Sequence, residues 1–163
     1  MVILGVDTSL RSTGYGVIET SGSRMCAIEY GRIRNAAELP LSACLKAIHE
    51  KISALIEAHH PDVVAVEGVI YGKNAQTMLV LGQARGSVIV AAADAGLEVY
   101  EYEPRRVKMS VCGNGLAGKE QVQRMVKTLL SLGELPQNDA ADALAIAMAH
   151  AHSNPRLNPA KPI

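Results

Sequence analysis

The chain has 163 residues, of which 48% are hydrophobic and 20% are charged, a composition typical of one folded domain with one core. Its 16 basic and 16 acidic residues give a formal net charge of zero, which by itself neither indicates nor excludes a polyanionic partner such as nucleic acid. No basic and apolar leader opens the chain, and charged or polar residues interrupt its longest apolar stretch, roughly 78–97. We therefore expect neither a signal peptide nor a membrane span.

The numbers of aromatic residues and cysteines indicate what the core is made of and in which cellular compartment the protein is expected. The chain has no Phe or Trp, so the core must be mainly aliphatic. Its cysteines, Cys26, Cys44 and Cys112, are odd in number and are not spaced for zinc. We interpret them as small core residues of a protein in the reducing cytoplasm.

Three strands are predicted first. Residues 2–7 form a short, almost wholly apolar run, which is typical of a central strand. Two further extended segments follow after short turns, at 13–19 and 24–34. Strands in this succession predict a three-stranded meander.

Helices and strands alternate in the rest of the chain. Apolar residues recur at spacings of three and four between 40 and 60, which predicts an amphipathic helix. We then expect a fourth strand, a long helix, a fifth strand and two more helices, over 62–67, about 74–95, 98–102, about 120–131 and 139–152. This makes one domain over residues 1–152, and the proline-rich tail 153–163 is predicted to be disordered.

These elements predict an α/β protein: a mixed five-stranded sheet, a meander followed by parallel strands, with helices on both faces. The first and fourth strands should be parallel neighbours, because a helix connects the meander to the fourth strand by a right-handed crossover. Their carboxyl ends then share one edge of the sheet, where ligands of open α/β sheets collect.

Four acidic residues come from three distant segments that converge on this edge. Asp7 and Glu67 each end an apolar strand, and Asp139 and Asp142 are three residues apart on the last helix, hence on one side of it. Taken singly, Asp139 and Asp142 could be acids that favour a helix start, and Asp7 could form a turn. Together they predict a divalent-metal site, because like-charged carboxylates repel unless a cation neutralises them.

The residues around these acids resemble the RuvC family of Holliday junction resolvases, which have an RNase H-like fold. The resemblance covers nearly the whole chain. It rests on Asp7 with the segment 11–17, on Val66-Glu67, and on the segments 73–75, 81–86, 107–108, 113–115, 119–123 and 139–147.

The resemblance implies a homodimer that binds four-way DNA junctions and nicks two opposed strands symmetrically, in recombination and repair. Asp7, Glu67, Asp139 and Asp142 occupy the catalytic positions of the family. A site of carboxylates without His or Cys suits two Mg²⁺ ions, with Mn²⁺ as a substitute. The resemblance leaves open whether the RuvA/RuvB branch-migration complex docks on this chain.

Several basic residues are candidates for phosphate contacts. Lys108 and Lys119 match basic positions near the family's active site, and Lys73 and Arg85 are further candidates. The alternative is that Lys119 is an ordinary solvated helix residue.

The long apolar helix is the predicted dimer interface. Residues 78–93 are apolar nearly all round, and Gly82 and Gly86 would let a second helix approach closely. Such a helix is either fully enclosed in the core or half of an interface. The resemblance favours the interface, because the family's dimer forms around this helix, and Leu81, Gly82, Arg85 and Gly86 are assigned to it on that basis.

Two departures from the family pattern concern the first turn and the junction centre. Thr8-Ser9 replaces the common Pro-Gly after the first Asp, which changes the turn but keeps the carboxylate. The family's stacking aromatic corresponds to Ile70 here, with Tyr71 next to it. We expect either Tyr71 to stack on a base or Ile70 to insert as an apolar wedge.

Three other functions compete with junction cleavage. A relative that binds junctions without cutting would not need all four acids. An RNA-processing nuclease of the same fold would cut structured RNA. A kinase-like ATPase of a related fold would need a second lobe, for which the chain has no residues.

Overall fold

Three strands come first along the chain, helices and strands then alternate, and three helices come last. The computed structural model describes residues 1–68, 74–153 and 162–163. The elements are β1 (Val2–Asp7), β2 (Ser12–Ser21), β3 (Arg24–Arg34), α1 (Leu41–His59), β4 (Val63–Glu67), α2 (Ala75–Asp94), β5 (Glu98–Tyr102), α3 (Pro104–Cys112), α4 (Lys119–Leu129) and α5 (Asn138–Ala151).

The five strands form one mixed sheet in the order β3-β2-β1-β4-β5. β1 pairs antiparallel with β2, and β2 antiparallel with β3, which makes the predicted meander. β1 pairs parallel with β4, and β4 parallel with β5. The mixed sheet and the adjacency of the first and fourth strands are confirmed.

Helices cover both faces of the sheet, as predicted. Alternate residues of a strand point to opposite faces, so Leu4 and Val6 of β1 join a core cluster with residues of α1 and α2, including Ile48 and Val88. Ile3 joins the other cluster, which contains buried residues of α3, α4 and α5.

Three glycines let α5 lie directly on the sheet. An ideal Cβ would lie 2.2 Å from the Ala143 carbonyl oxygen at Gly5, 1.9 Å from the Asp139 carbonyl oxygen at Gly14, and 2.7 Å from Leu144 Cδ2 at Gly16. Real Cβ atoms do not tolerate such distances. The absence of side chains at these positions therefore sets how closely α5 approaches β1 and β2.

The structure contains a helix that the sequence pattern did not predict. α3 is nine residues long, begins with Pro104 at its first position, and buries Val107 and Val111. The helix also contains Arg105, Arg106 and Lys108 and has few apolar residues. Its apolar periodicity therefore spans only about one turn, which is too short to predict a helix. The predicted succession of elements was wrong at this point.

The cysteines differ in burial, and the last two residues of the chain lie beside β5. Cys44 is buried, but Cys26 is exposed on edge strand β3, so its assignment to the core was wrong. The predicted disorder of the tail stays a prediction, because residues 154–161 lie outside the described residues. Pro162 and Ile163 lie beside β5, where the Ile163 amide donates a hydrogen bond to the Val99 carbonyl at 3.0 Å. No helix in the described ranges has the length and apolarity of a membrane span.

Candidate active site

Two of the four predicted acids meet at the carboxyl edge of β1 and β4. The register pairs Val6 with Val66, so Asp7 and Glu67 are the next residue of each strand. Both lie on the face that carries Gly5 and Ala65, because side chains two apart on a strand share a face. This is the face covered by α5, since Ala65 packs in the same core cluster as the buried residues of α5.

The first turns of α5 bring the other two acids to the same edge. Asp7 pairs with Gly14 across the β1–β2 ladder, and the backbone of Asp139 lies directly over Gly14. Asp142 follows three residues later, on the same side of the helix as Asp139. Acids from three separate segments thus come together at this edge of the sheet.

The pKa of Asp7 is raised by its burial and by the charges of the other three acids. This pKa is raised from 3.8 to about 7, mainly by burial and then by the charges of Glu67, Asp142 and Asp139, while Lys119 opposes the rise. Burial, followed by the charge of Asp142, also raises the pKa of Glu67. An isolated set of carboxylates here resists full ionisation at neutral pH.

Two lysines lie within electrostatic range of the acids. Burial is the main cause that raises the pKa of Asp142, and the positive charges of Lys119 and Lys108 act against it. The same two lysines lower the pKa of Glu67 against the effect of its burial. Lys119 begins α4, where it lines an open surface cleft with Arg124.

Asp139 lies in the first turn of α5, where an acid is favoured, but the local environment argues against a side-chain cap by Asp139 and against a turn at Asp7. The N-cap of α5 is Gln137, and α5 has no side-chain cap hydrogen bond; the Asp139 carboxylate instead accepts one from the Ser12 hydroxyl. Among the described residues, no backbone amide donates to the Asp7 carboxylate, as an Asx turn would require. Sequence reasoning missed Ser12, because nothing in the local pattern connects it with a residue 127 positions away.

The donor set fits a hard divalent cation. All four side chains offer carboxylate oxygens, the ligand that Mg²⁺ prefers. Across the described ranges, no three Asp, Glu, His or Cys side chains form a group that could hold an ion by themselves. Mg²⁺ does not need such a cage, because it is commonly bound by one or two carboxylates together with waters and substrate phosphates.

The remaining predicted DNA-binding residues fall in different places. Lys73, Ile70 and Tyr71 lie outside the described residues. Arg85 of α2 makes an ion pair with Glu101 of β5, and its side chain is only 17% exposed. A phosphate contact by Arg85 stays a prediction.

Helix α2 has one core face and one exposed face. Ala84 and Val88 are fully buried against the sheet and α1. On another face Leu79 and Val90 are 58% and 51% exposed, and an added Cβ at Gly82 or Gly86 would meet nothing within 4 Å. The helix therefore contributes to the core and also presents an open apolar stripe, residues 79, 82, 86 and 90.

Comparison with known sequences identifies close relatives. Residues 3–150 match the family model described as crossover junction endodeoxyribonuclease RuvC. Proteins of that name from Pelotomaculum thermopropionicum and Tolumonas auensis are 47% and 51% identical to this chain over 153 and 156 residues. These alignments cover 93% and 96% of this chain, and 93% and 90% of the relatives.

Solved structures give the same result. The chain is similar to RuvC of Thermus thermophilus, with a TM-score of 0.88 and 34% identity over the full length of both chains. The same protein in complex with a Holliday junction substrate matches with a TM-score of 0.89 and 32% identity, again over both full chains. This likeness confirms the predicted RNase H-like fold.

Proposed function

Because the chain belongs to the RuvC family of crossover junction endodeoxyribonucleases, we propose that it cuts four-way DNA junctions by symmetric paired nicking, in DNA recombination and repair. The observation that carries this proposal is the convergence of Asp7, Glu67, Asp139 and Asp142, from three distant segments, at one edge of the sheet. The T. thermophilus relative, solved with a Holliday junction substrate, supports the choice of DNA.

The four carboxylates would hold Mg²⁺, and a raised pKa at Asp7 is what a site built for a cation shows in the cation's absence. Held by Asp7, Glu67, Asp139 and Asp142, two such ions would supply an activated water and stabilise the charge on the leaving 3′-oxygen. Ser12 orients the Asp139 carboxylate by donating a hydrogen bond to it. Lys119 and Lys108, which lie within electrostatic range of the acids, bind and orient the phosphate to be cut.

The test is cleavage of a synthetic four-way junction in Mg²⁺, with each pair of opposed strands labelled in turn. We expect paired nicks from the wild type, and at least a 100-fold loss for Asp7→Asn and Glu67→Gln with junction binding retained. Glu50→Gln, a change of an exposed carboxylate on α1, is the matched control.

The competing functions predict other results in the same assay. A non-catalytic binder would retain the junction without nicks at any Mg²⁺ concentration. An RNA-processing nuclease would cut a structured RNA of matched length faster than the junction. Comparable cutting by Asp7→Asn would contradict the assignment of the site.

Symmetric nicking requires two copies of the site, and we propose that the chain dimerises through the open stripe of α2. Residues 79, 82, 86 and 90 recur at the spacing of one helix face, and Gly82 and Gly86 leave room for a second helix. Of the residues first assigned to the interface, Arg85 lies off this stripe, and Leu81 lies on nearly the opposite side of the helix, toward the buried Ala84 and Val88.

Compartment and further partners follow from the proposed role. A role on chromosomal junctions would put the protein in the cytoplasm, and its three free cysteines support this part of the proposal. Docking of the RuvA/RuvB branch-migration complex stays an implication of the family, and co-purification with those proteins on junction DNA tests it.

A further inference from the structure

Arg85 and Glu101 connect α2 to the edge strand β5. The Arg85 Nη2 and Glu101 Oε2 atoms form a hydrogen-bonded ion pair, with side chains that are 17% and 40% exposed. Arg85 Nε is buried and has no hydrogen-bond partner among the residues that the structure describes. The guanidinium therefore lies beneath the surface, and loss of Glu101 would leave its charge without this partner.

Glu101 also lies against the residue that follows Glu67. A Cβ built on Gly68 would lie 3.1 Å from Glu101 Oε1 and 3.3 Å from its Cδ and Cγ atoms. The Gly68 amide donates to the Tyr102 carbonyl oxygen at 2.9 Å. Gly68 is thus held by the backbone of β5 and covered by the Glu101 side chain, while Glu67 immediately precedes it.

We propose that Arg85 and Glu101 form a positioning pair for Glu67, which acts through Gly68 and links α2 to the acidic edge. This inference rests on the proposed role of Glu67 in binding the metal. The ion pair holds the Glu101 side chain against Gly68. Glu101 in turn restricts the backbone of Gly68, and this backbone sets the direction of the preceding Glu67 carboxylate. The same contact joins the active site to the helix that carries the open apolar stripe.

The alternative for Arg85 is a direct contact with a DNA phosphate, and the two roles differ in what Glu101 does. A phosphate-binding Arg85 would gain freedom when Glu101 becomes neutral, so Glu101→Gln would leave cleavage unchanged or improve it. A positioning pair needs both members, so Glu101→Gln and Arg85→Gln should have the same effect. The double variant should then be no worse than either single change, because members of one network are not additive.

The experiment compares the wild type with Arg85→Gln, Glu101→Gln and the double variant. Asp94→Asn is the matched control, since it changes the contact between Asp94 and His49 at the C-terminal end of α2. Single-turnover cleavage is measured at saturating protein over a Mg²⁺ titration, with junction affinity and thermal unfolding measured in parallel. We expect each single variant to cut roughly 10- to 100-fold more slowly, because small misplacements of a catalytic group have effects of this size.

Further readouts separate positioning from general structure. The half-saturating Mg²⁺ concentration should rise while junction affinity stays unchanged, and Arg85→Lys, which keeps the charge, should recover part of the rate. Hydrogen exchange at the Gly68 amide should accelerate in both single variants but not in Asp94→Asn. This last measurement does not depend on cleavage, so it tests the inference even if the wild type cuts no junction and the proposed function fails.

Several outcomes would overturn the positioning pair. Normal cleavage by Glu101→Gln together with weaker junction binding by Arg85→Gln would assign Arg85 to the DNA. Wild-type rates and unchanged Gly68 exchange in all variants would reduce the pair to a packing contact. If Arg85→Gln does not fold, Gly68→Ala displaces Glu101 from the other side, and normal cleavage and Mg²⁺ dependence in that variant would count against the inference.

Discussion

Asp7 contributes to the proposed chemistry at a cost to the stability of the metal-free protein. Its pKa lies at about 7 in the folded chain against an ordinary value of 3.8, mainly because of burial and secondarily because of Glu67, Asp142 and Asp139. The folded state therefore binds more protons than the unfolded state between these values. Stability in the absence of metal should fall as pH rises from about 4 to about 7, and then level off.

Asp7→Asn should remove this dependence. At pH 8 without metal we expect the variant to be more stable than the wild type by roughly 2–4 kcal/mol, since one pKa unit corresponds to about 1.4 kcal/mol. Near pH 4 the two should be nearly equal. Urea unfolding in a chelator at both pH values checks this, with Glu50→Gln as the control. If the wild type is as stable as Asp7→Asn at pH 8, the raised pKa of Asp7 is contradicted.

Divalent metal should restore stability to the wild type at pH 8, and much less to Asp7→Asn. Mg²⁺ bound to the folded state neutralises the acids and adds stability in proportion to the logarithm of its concentration. We expect the thermal midpoint of the wild type at pH 8 to rise with Mg²⁺, and that of Asp7→Asn to respond much less. Equal responses of both proteins would place the ion elsewhere.

At the scale of elements, the position of α5 on the sheet decides whether the site exists. Gly14 lies under the backbone of Asp139 and pairs with Asp7, so it touches two of the segments that form the site. Gly5 and Gly16, opposite each other on β1 and β2, extend the same contact along the helix. Side chains at these positions would lift α5 away from β1.

Gly14→Ala should therefore abolish cleavage while leaving all four carboxylates in the chain. Its Cβ would lie 1.9 Å from the Asp139 carbonyl oxygen, so α5 must move. We expect a loss of stability of at least roughly 1–3 kcal/mol, the usual effect of overpacking. Cleavage and urea unfolding are compared with Gly133→Ala, whose added Cβ meets nothing within 4 Å. Normal activity in Gly14→Ala would show that the helix can shift without harm.

At the scale of the whole molecule, paired nicking depends on how two chains associate. The open stripe of α2 offers apolar side chains around Gly82 and Gly86, and the opposite face of the helix is committed to the core. A charge in the stripe would be desolvated only in a dimer. Substitution there should affect association and leave the fold of the monomer intact.

Leu79→Glu and Val90→Glu should convert the protein to a monomer, which would retain single nicks at most. Light scattering coupled to size-exclusion chromatography measures the mass, and the junction assay scores paired against single nicks. Leu135→Glu is a matched control, because Leu135 and Val90 are both 51% exposed. Dimers of normal mass in both stripe variants would place the interface on another face.

The local pattern of the sequence predicted most of the fold and singled out the four acids of the proposed site. Apolar periodicity identified the strands and four of the helices, because burial on one face leaves a period that can be recognised without tertiary contacts. The adjacency of Asp7 and Glu67 followed from the handedness of a strand–helix–strand connection. Helix α3 escaped because its nine residues bury only Val107 and Val111.

Other contacts between distant residues were decided only by the tertiary structure. The hydrogen bond from Ser12 to Asp139, the pairing of Arg85 with Glu101, and the close approach of α5 over Gly14 join residues with no common periodicity. The raised pKa of Asp7 likewise depends on burial and on charges from three other segments. Such contacts arise from the packing of completed elements, so the pattern within any one element does not contain them.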